Sequence, residues 1–340
     1  MTRSRRFIRL SVAISAAGAL VLLAGIAWAP PQAVAVSYLA VYTATTAIAV
    51  GALLLIMFAD LSGAVWFEPF RPHAEIIVSA LPALAALAIP LVVVFGLRTI
   101  VYWAAWLVLA HLVPTRRVRV SAAGVPIAAL ALTYAAFDWT LSRTEWFSSL
   151  AGVYYFSGGI VGALALLAVM GAQRSLRGRE SAPRTDHYQA LGRLLLAFVL
   201  FWGYIWYSQF FIAWIGDIPR EAQWYAVRLH GGWRAVAYVL LWIGFVVPVF
   251  VLLFRAARGS ALVMAGTGIW LLAARYLDMY WMLVPAVRPH WTLASAVWDV
   301  AALLTVAGSA AALAIWRSER APATRVTDPL LTASLEYEAH

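Results

Sequence analysis

Long apolar segments alternate with short polar connections along almost the whole chain. A helix needs ~20 predominantly apolar residues to cross a bilayer. The pattern therefore predicts an all-α integral membrane protein with about ten transmembrane helices. The predicted segments are 8–29, 33–58, 75–95, 97–113, 122–141, 148–172, 189–215, 232–254, 260–284 and 291–316.

The region 75–113 reads EIIVSALPALAALAIPLVVVFGLRTIVYWAAWLVLAHLV and could form one long helix or two helices joined by a tight turn. The arginines favour two helices, because short cytoplasmic loops carry an excess of basic residues. With ten spans and a cytoplasmic N-terminus, 17 of the 25 basic residues fall on one face. Nine spans would divide the basic loops between the faces. We therefore predict a turn near Phe95 to Arg98 and two cytoplasmic termini.

Composition supports a membrane location, since 64% of the residues are hydrophobic and only 12% are charged. Average soluble domains carry about 25% charged residues. We predict a polytopic transmembrane domain over residues 1–317, beginning with an uncleaved helix. Residues 318–340 are predicted to form a cytoplasmic polar tail, an extended arm lying on a partner or on the cytoplasmic face.

The chain contains no cysteine. This excludes thiolate ligation of iron–sulfur clusters, c-type haem attachment and thiol catalysis. The histidines lie in predicted loops or near helix ends, so no pair is placed for haem at mid-membrane: His73, His111, His187, His230, His290 and His340. We predict no metal site, no catalytic residue and no covalently bound cofactor in this chain.

Ionisable residues inside spans are costly and are functional candidates by default. Arg275 and Asp278 share one helical face, because they are three residues apart. We expect Asp278 to join Asp138 and Asp299 in one outer polar cluster. Either these residues form ion pairs that stabilise packing, or they line a proton path or quinone pocket. The candidates are Asp138, Tyr207, Gln209, Asp217, Glu221, Arg275, Asp278 and Asp299.

Tyr207, Ser208 and Gln209 are consecutive, so a helix points them in different directions. We expect at least one to bond a neighbouring helix, with Ser208 the best candidate. Asp217 is predicted to cap a short surface helix that has Pro219 in its first turn.

A second group of polar residues lies towards the cytoplasmic side of the predicted topology. It could form the inner end of a proton route, or ion pairs at solvated helix ends. The candidates are Asp60, His73, Glu75 and Arg193.

Three stretches carry a family resemblance: FDWTLSRTEWFSSLAGVYYFSGGIVGAL, ALGRLLLAFVLFWGYIWYSQFFIAWIGDIPREAQWY and RYLDMYWMLVPA. Together with the closing DPLLTASLEYE, they resemble the NrfD-like membrane subunits of bacterial alternative complex III, a quinol:cytochrome c oxidoreductase. Within that family, the match is to quinone-binding subunit 2. Two features differ from the family pattern: the segment around VFGLRT is shortened, and Arg71 alone precedes Glu75.

The resemblance implies ten helices that include two four-helix bundles. It also implies a larger NrfD-like paralogue, an iron–sulfur subunit and c-type cytochrome subunits as partners. The subunit would lie in the bacterial inner (cytoplasmic) membrane and support quinol oxidation and proton movement in a respiratory or photosynthetic chain, with quinone or quinol as its possible ligand. The alternatives are a stand-alone NrfD-type quinol dehydrogenase anchor and a secondary transporter.

Overall fold

The computed structural model describes residues 2–141, 146–178, 182–290, 292–318 and 329–338, and these residues form helices joined by turns, with no strand. This confirms the predicted all-α class. The helices are α1 (Thr2–Trp28), α2 (Pro31–Ser62), α3 (Arg71–Val78), α4 (Leu81–Ala86), α5 (Ile89–Phe95), α6 (Leu97–Leu112), α7 (Val118–Ala136), α8 (Ala151–Ser175), α9 (Thr185–Gly216), α10 (Pro219–Leu229), α11 (Gly231–Tyr238), α12 (Val247–Leu253), α13 (Arg255–Gly259), α14 (Ala261–Leu283), α15 (Ala296–Ser318) and α16 (Pro329–Leu335). A π-helical turn, Phe137–Leu141, extends α7, and a second, Val239–Val246, joins α11 to α12.

Within the described residues, eight helical segments are long and apolar enough to cross a membrane. A ninth is formed if Arg71–Ala86 and Ile89–Phe95, which meet at an angle of 58°, count as one broken span. Helix α14 has 23 residues and coincides with the ninth predicted segment, although it is not among the segments that meet this measure. The chain is therefore a multi-pass membrane protein.

Region 75–113 folds as two antiparallel arms, as predicted. Helix α5 ends at Phe95, Gly96 has a φ of +72°, and α6 begins at Leu97. Glycine suits this turn, because other residues are strained at positive φ. Helices α4 and α6 contact each other, which one continuous helix would forbid. The first arm is itself broken at the turns before Pro82 and Pro90, since proline disrupts the preceding helical turn.

Helix α2 forms the centre of the bundle, and 83% of its most apolar window is buried. It packs closely against α8, where a Cβ on Gly51 would lie 2.5 Å from the carbonyl oxygen of Gly159. Small residues of this kind let helix backbones approach inside membranes, where packing and not apolar burial drives association. The glycines therefore fix the distance between the two central helices.

Helices α1 and α15 pack side by side in opposite directions. Ser15 bonds the carbonyl oxygen of Leu304, whereas Gly25, further along α1, lies against Trp298, nearer the start of α15. The beginning of α1 and the end of α15 consequently lie at one end of the bundle. We call this the basal end, and the opposite end the apical end.

The predicted role of Asp217 is wrong. Asp217 has a φ of +45° and closes the C-terminus of α9, while Ile218 is the residue that precedes α10. Pro219 does occupy the first turn of α10, as predicted. The αL conformation lets the backbone N–H of Asp217 bond the carbonyl of Ala213, which satisfies one of the open carbonyl groups at the helix end.

The C-terminal segment 329–338 contains a helix, so the prediction of an extended arm is wrong there. Ser334 and Leu331 are buried, and the ring of His187 bonds Ser334 through Nε2, 2.9 Å from the carbonyl oxygen. The backbone N–H of Arg184 donates to the other ring nitrogen, so His187 uses both nitrogens. This segment lies on the basal end of its own chain, and residues 319–328 fall outside the described residues.

Candidate functional site

The most deeply buried acid in the bundle is Asp278 on α14, of which 1% is exposed. Tyr154 on α8 donates a hydrogen bond to Oδ1, and Arg275 lies 3.3 Å from Oδ2. The guanidinium of Arg275 also stacks on the ring of Trp202 on α9, 3.6 Å from its centroid. These four residues are the Asp278 cluster, which ties together three helices. The predicted pairing of Arg275 with Asp278 is present.

Two donors of Arg275, Nε and Nη2, have no hydrogen-bond partner among the described residues. Gly158 on α8 borders the cluster, where an added Cβ would make ordinary van der Waals contact 3.9 Å from Nη1 of Arg275. A carboxyl group bonded to a phenol, beside donors with free capacity, has the composition of a proton-exchanging site as well as of a structural ion pair.

A second cluster surrounds Asp299 near the start of α15. Oδ1 accepts from Arg288 at 2.7 Å and from Ser37 at 2.6 Å, and Oδ2 accepts from Tyr280 at 2.7 Å. This Asp299 cluster (Ser37, Tyr280, Arg288 and Asp299) joins α2, α14 and α15. The carboxylate thus has a buried cation and two hydroxyl donors, which is the fully bonded arrangement that buried charges require.

A third cluster forms where α7 passes into its π-helical turn. Tyr102 donates to Asp138 Oδ2 at 2.8 Å, and Arg98 lies 3.1 Å from Oδ1. The side chain of Arg98 is 69% exposed, unlike the cations of the other two clusters. This Asp138 cluster (Arg98, Tyr102 and Asp138) therefore has a solvated cation at the apical surface.

The three acids lie at similar depth, but they do not form the single cluster that we predicted. Along α2, Ser37 bonds Asp299, Tyr42 packs on Trp139 beside Asp138, and the Thr43 carbonyl accepts from Tyr155. The contacts on α2 thus span about 9 Å of helix axis. Each acid has its own cation, which lies on the same helix for Asp278 and on another helix or a connecting segment for Asp138 and Asp299, so the charges are balanced locally around α2.

The three consecutive polar residues on α9, Tyr207, Ser208 and Gln209, point in different directions, as 3.6 residues per helical turn require. Gln209 is buried and accepts from Ser148 at 2.8 Å, whereas Tyr207 is 55% exposed. The bond to a neighbouring segment therefore belongs to Gln209 and not to Ser208. Beyond the helix, Asp217 is exposed and Glu221 half-buried, and neither joins the three buried acids.

An apolar cleft of about 320 Å³ opens between α9 and the π-helical turn Val239–Val246. Its walls include Tyr207, Phe245 and one side of Trp202. Trp202 therefore separates this lipid-facing cleft from Arg275. π-Helical turns occur frequently at functional sites, and here such a turn and Trp202 line the same cleft.

Basal residues form a separate ionic group where α2, α3 and α7 meet. Arg71 contacts Asp60, and its Nε lies 3.3 Å from Glu68. Glu75 is further away, at 3.9 Å from Nη1 of Arg71, and Arg116 lies 3.1 Å from Glu68. We call these five residues the basal cluster. Two of the predicted inner candidates, Asp60 and Glu75, therefore share one cation.

The other two inner candidates occupy different surroundings. His73 is buried on α3, and its Nδ1 has no hydrogen-bond partner among the described residues. Arg193 is exposed on α9. The four residues therefore do not line one continuous polar route in this structure.

Arg228 is a buried residue whose role the sequence did not indicate. It donates to the carbonyl oxygens of Trp281 and Met282 at 3.2 and 2.6 Å, and stacks 3.6 Å above the ring of Trp224. Burial lowers the pKa of Arg228 to about 9, so it remains a cation at neutral pH. A cation on these carbonyls satisfies the C-terminal end of α14 and its dipole.

Arg288 and Arg98 are the cations of Asp299 and Asp138, and neither was a candidate site residue from the sequence. Tyr154, Trp202 and Tyr280 were not singled out as site residues, because they sit in aromatic-rich helices where most rings only pack. Each of the three acids accepts a hydrogen bond from a tyrosine that is distant from it in sequence. No regular spacing links the two residues of a pair, so the sequence could not reveal these bonds.

The described residues contain no group of three His, Asp or Glu side chains placed to hold a metal ion. Comparison of the sequence with models of known protein families and with curated proteins finds no match.

Proposed function

We propose that this chain is a membrane subunit of a quinol:cytochrome c oxidoreductase of the alternative complex III type. It would support quinol oxidation by a larger NrfD-like paralogue and take part in proton translocation within the bacterial inner membrane. Its other partners would be an iron–sulfur subunit and c-type cytochromes. The proposal includes ten spans, with the basal end and both termini in the cytoplasm.

One observation carries this proposal. The three stretches that resemble the family lie far apart in sequence, yet each supplies a member of the Asp278 cluster. Tyr154 comes from the VYYF stretch, Trp202 from the FWGYIW stretch, and Arg275 with Asp278 from RYLDMYW. The stretches that carry the family resemblance thus meet around one buried carboxyl group, and this supports a functional role for that group. Acidic residues inside membranes commonly serve in proton relays.

The packing of α1 against α15 supports the even number of spans. Because these two helices run in opposite directions, the chain enters the first and leaves the last at the basal end. The basal loops also carry most of the arginines, including Arg71, Arg116, Arg174 and Arg258, and this agrees with a cytoplasmic location.

Purification of the chain from its native membrane in a mild detergent tests the proposal. We expect co-migration with subunits that show haem absorption and contain iron–sulfur clusters. Recovery with an iron–sulfur protein alone would favour a stand-alone quinol dehydrogenase anchor instead. Recovery without redox partners would refute both of these readings.

A secondary transporter is the second candidate, and the broken span Arg71–Phe95 favours it. Transporters commonly use discontinuous helices to form sites near the bilayer midplane, and this span bends by 58°. The two functions differ in a reconstituted vesicle. A transporter would move solute without redox partners, whereas the proposed subunit would show no transport unless quinol oxidation drives it.

A further inference from the structure

A cavity of about 540 Å³ lies at the basal end between α3, α6 and α15. Its rim carries Glu75, His111 and Arg317, which lie close to the basal ends of the three helices. Its deeper wall is apolar and includes Pro82 and Leu107, each at least one helical turn further from the basal end. The cavity thus has charged groups at headgroup depth and an apolar surface below them.

The charges on the rim are of both signs. Glu75 is the most weakly held of the three acids around Arg71, because Asp60 and Glu68 lie closer to that cation. Its side chain is also the most exposed of the three, at 41%. Glu75 therefore presents an exposed carboxylate that can accept a further cation. Arg317, in the last turn of α15, offers a guanidinium to the same cavity.

We propose that this cavity binds one zwitterionic phospholipid whose headgroup carries a primary amine. Arg317 and His111 bind the phosphate, Glu75 binds the ammonium group, and an acyl chain lies along Pro82 and Leu107. Arginine recognises phosphate through two parallel hydrogen bonds, and a volume of this size lies within the ~300–1,000 Å³ of small-molecule sites. The proposal rests on the multi-pass membrane fold and is independent of the proposed function.

The rim chemistry distinguishes this lipid from others in the membrane. An anionic headgroup without an amine would place its phosphate correctly but leave Glu75 without a cation. A choline headgroup carries a positive charge but no N–H donor for the carboxylate. A free phosphate ion would make no use of the apolar wall.

Native mass spectrometry of the delipidated full-length chain tests the proposal, in detergent micelles that contain phosphatidylethanolamine, phosphatidylglycerol or phosphatidylcholine. We expect the wild type to retain one phosphatidylethanolamine in preference to the other two. Arg317→Gln should weaken binding of all three about tenfold or more, because a charge-assisted hydrogen bond is lost. Glu75→Gln should remove the preference for phosphatidylethanolamine over phosphatidylglycerol.

Arg177→Gln is the matched control, because Arg177 is an exposed arginine in the turn after α8 at the same end of the bundle. It removes one positive charge and should leave lipid binding unchanged. His111→Ala, a change at an exposed position, should weaken phosphate binding without disturbing the ionic basal cluster. Three results would each overturn the proposal: no retained lipid in the wild type, equal retention of the three lipids, or equal losses in Arg317→Gln and Arg177→Gln.

Discussion

The phenolic hydroxyl of Tyr154 on α8 donates a hydrogen bond to Asp278 on α14. The two residues are 124 positions apart in sequence, so this bond joins helices that are distant along the chain. Asp278 has only one other charged partner in this cluster, Arg275, which itself rests on the ring of Trp202. The acid is therefore held by a neutral donor and by a cation whose remaining donors are unbonded within the described residues. This arrangement leads to our first prediction.

Asp278→Asn should slow proton-coupled turnover of the assembled complex and leave its assembly nearly intact. The amide still accepts from Tyr154, but it cannot carry a proton. Turnover and proton yield per electron are measured on the same preparation. Tyr154→Phe is the companion variant, because it keeps the ring and removes only the hydroxyl. Unchanged turnover and proton yield in Asp278→Asn would show that the cluster is structural.

Arg275→Leu should be more damaging than Asp278→Asn, because it leaves a buried carboxylate without its cation. Breaking a buried pair on one side costs about 3–5 kcal/mol, and the stacking on Trp202 is lost as well. Unfolding in mixed detergent micelles measures the free-energy difference. Arg275→Leu combined with Asp278→Asn should recover part of the loss, since the double variant has no stranded charge. Equal stability of the two single variants would contradict this explanation.

The ion pairs of the Asp299 and Asp138 clusters should differ strongly in their contribution to stability. Arg288 is 8% exposed, so Arg288→Ala leaves Asp299 with a buried, uncompensated charge and should cost about 3–5 kcal/mol. Arg98 is 69% exposed, and solvent already screens its interaction, so Arg98→Ala should cost about 0–1 kcal/mol. Unfolding of both variants under one condition gives the comparison, and equal losses would show that exposure does not control the strength of these pairs.

The helix content and the turn at Gly96 could be predicted from the sequence, because apolar length and glycine conformation act locally. The sequence could not show that Asp278, Asp138 and Asp299 belong to three separate clusters. The pairing of Asp278 with Arg275 follows from their spacing on one helix, but the cations that Asp138 and Asp299 receive depend on helix rotation and on which helices are neighbours. Arg288 reaches Asp299 from a connecting segment and Arg98 reaches Asp138 from the first turn of α6, and hydropathy determines neither arrangement. Gln209, and not Ser208, faces the protein because rotation of α9 is set by packing of Trp202 and Gly203 against its neighbours.

Reporter fusions at the two ends of the chain should report the same side of the membrane. The antiparallel packing of α1 and α15 requires this if both helices cross completely. A third fusion in the loop before α10, at the apical end of α9, should report the opposite side. Opposite locations for the two termini would refute the ten-span topology.

Gly159→Ala should destabilise the bundle centre, because a Cβ there would lie 2.5 Å from the carbonyl oxygen of Ala47 on α2. The backbone cannot move aside as a flexible side chain would, so α2 and α8 must separate and lose packing between them. Overpacking of this kind typically costs about 1–3 kcal/mol. Gly266→Ala on α14 is the matched control, since nothing lies within 4 Å of its added Cβ. In a helix interior that control should be neutral or stabilising by about 0.5–1 kcal/mol, because alanine loses less conformational freedom than glycine on folding. Unfolding in mixed micelles measures both variants, and a stable Gly159→Ala protein would show that α2 and α8 are not in close contact.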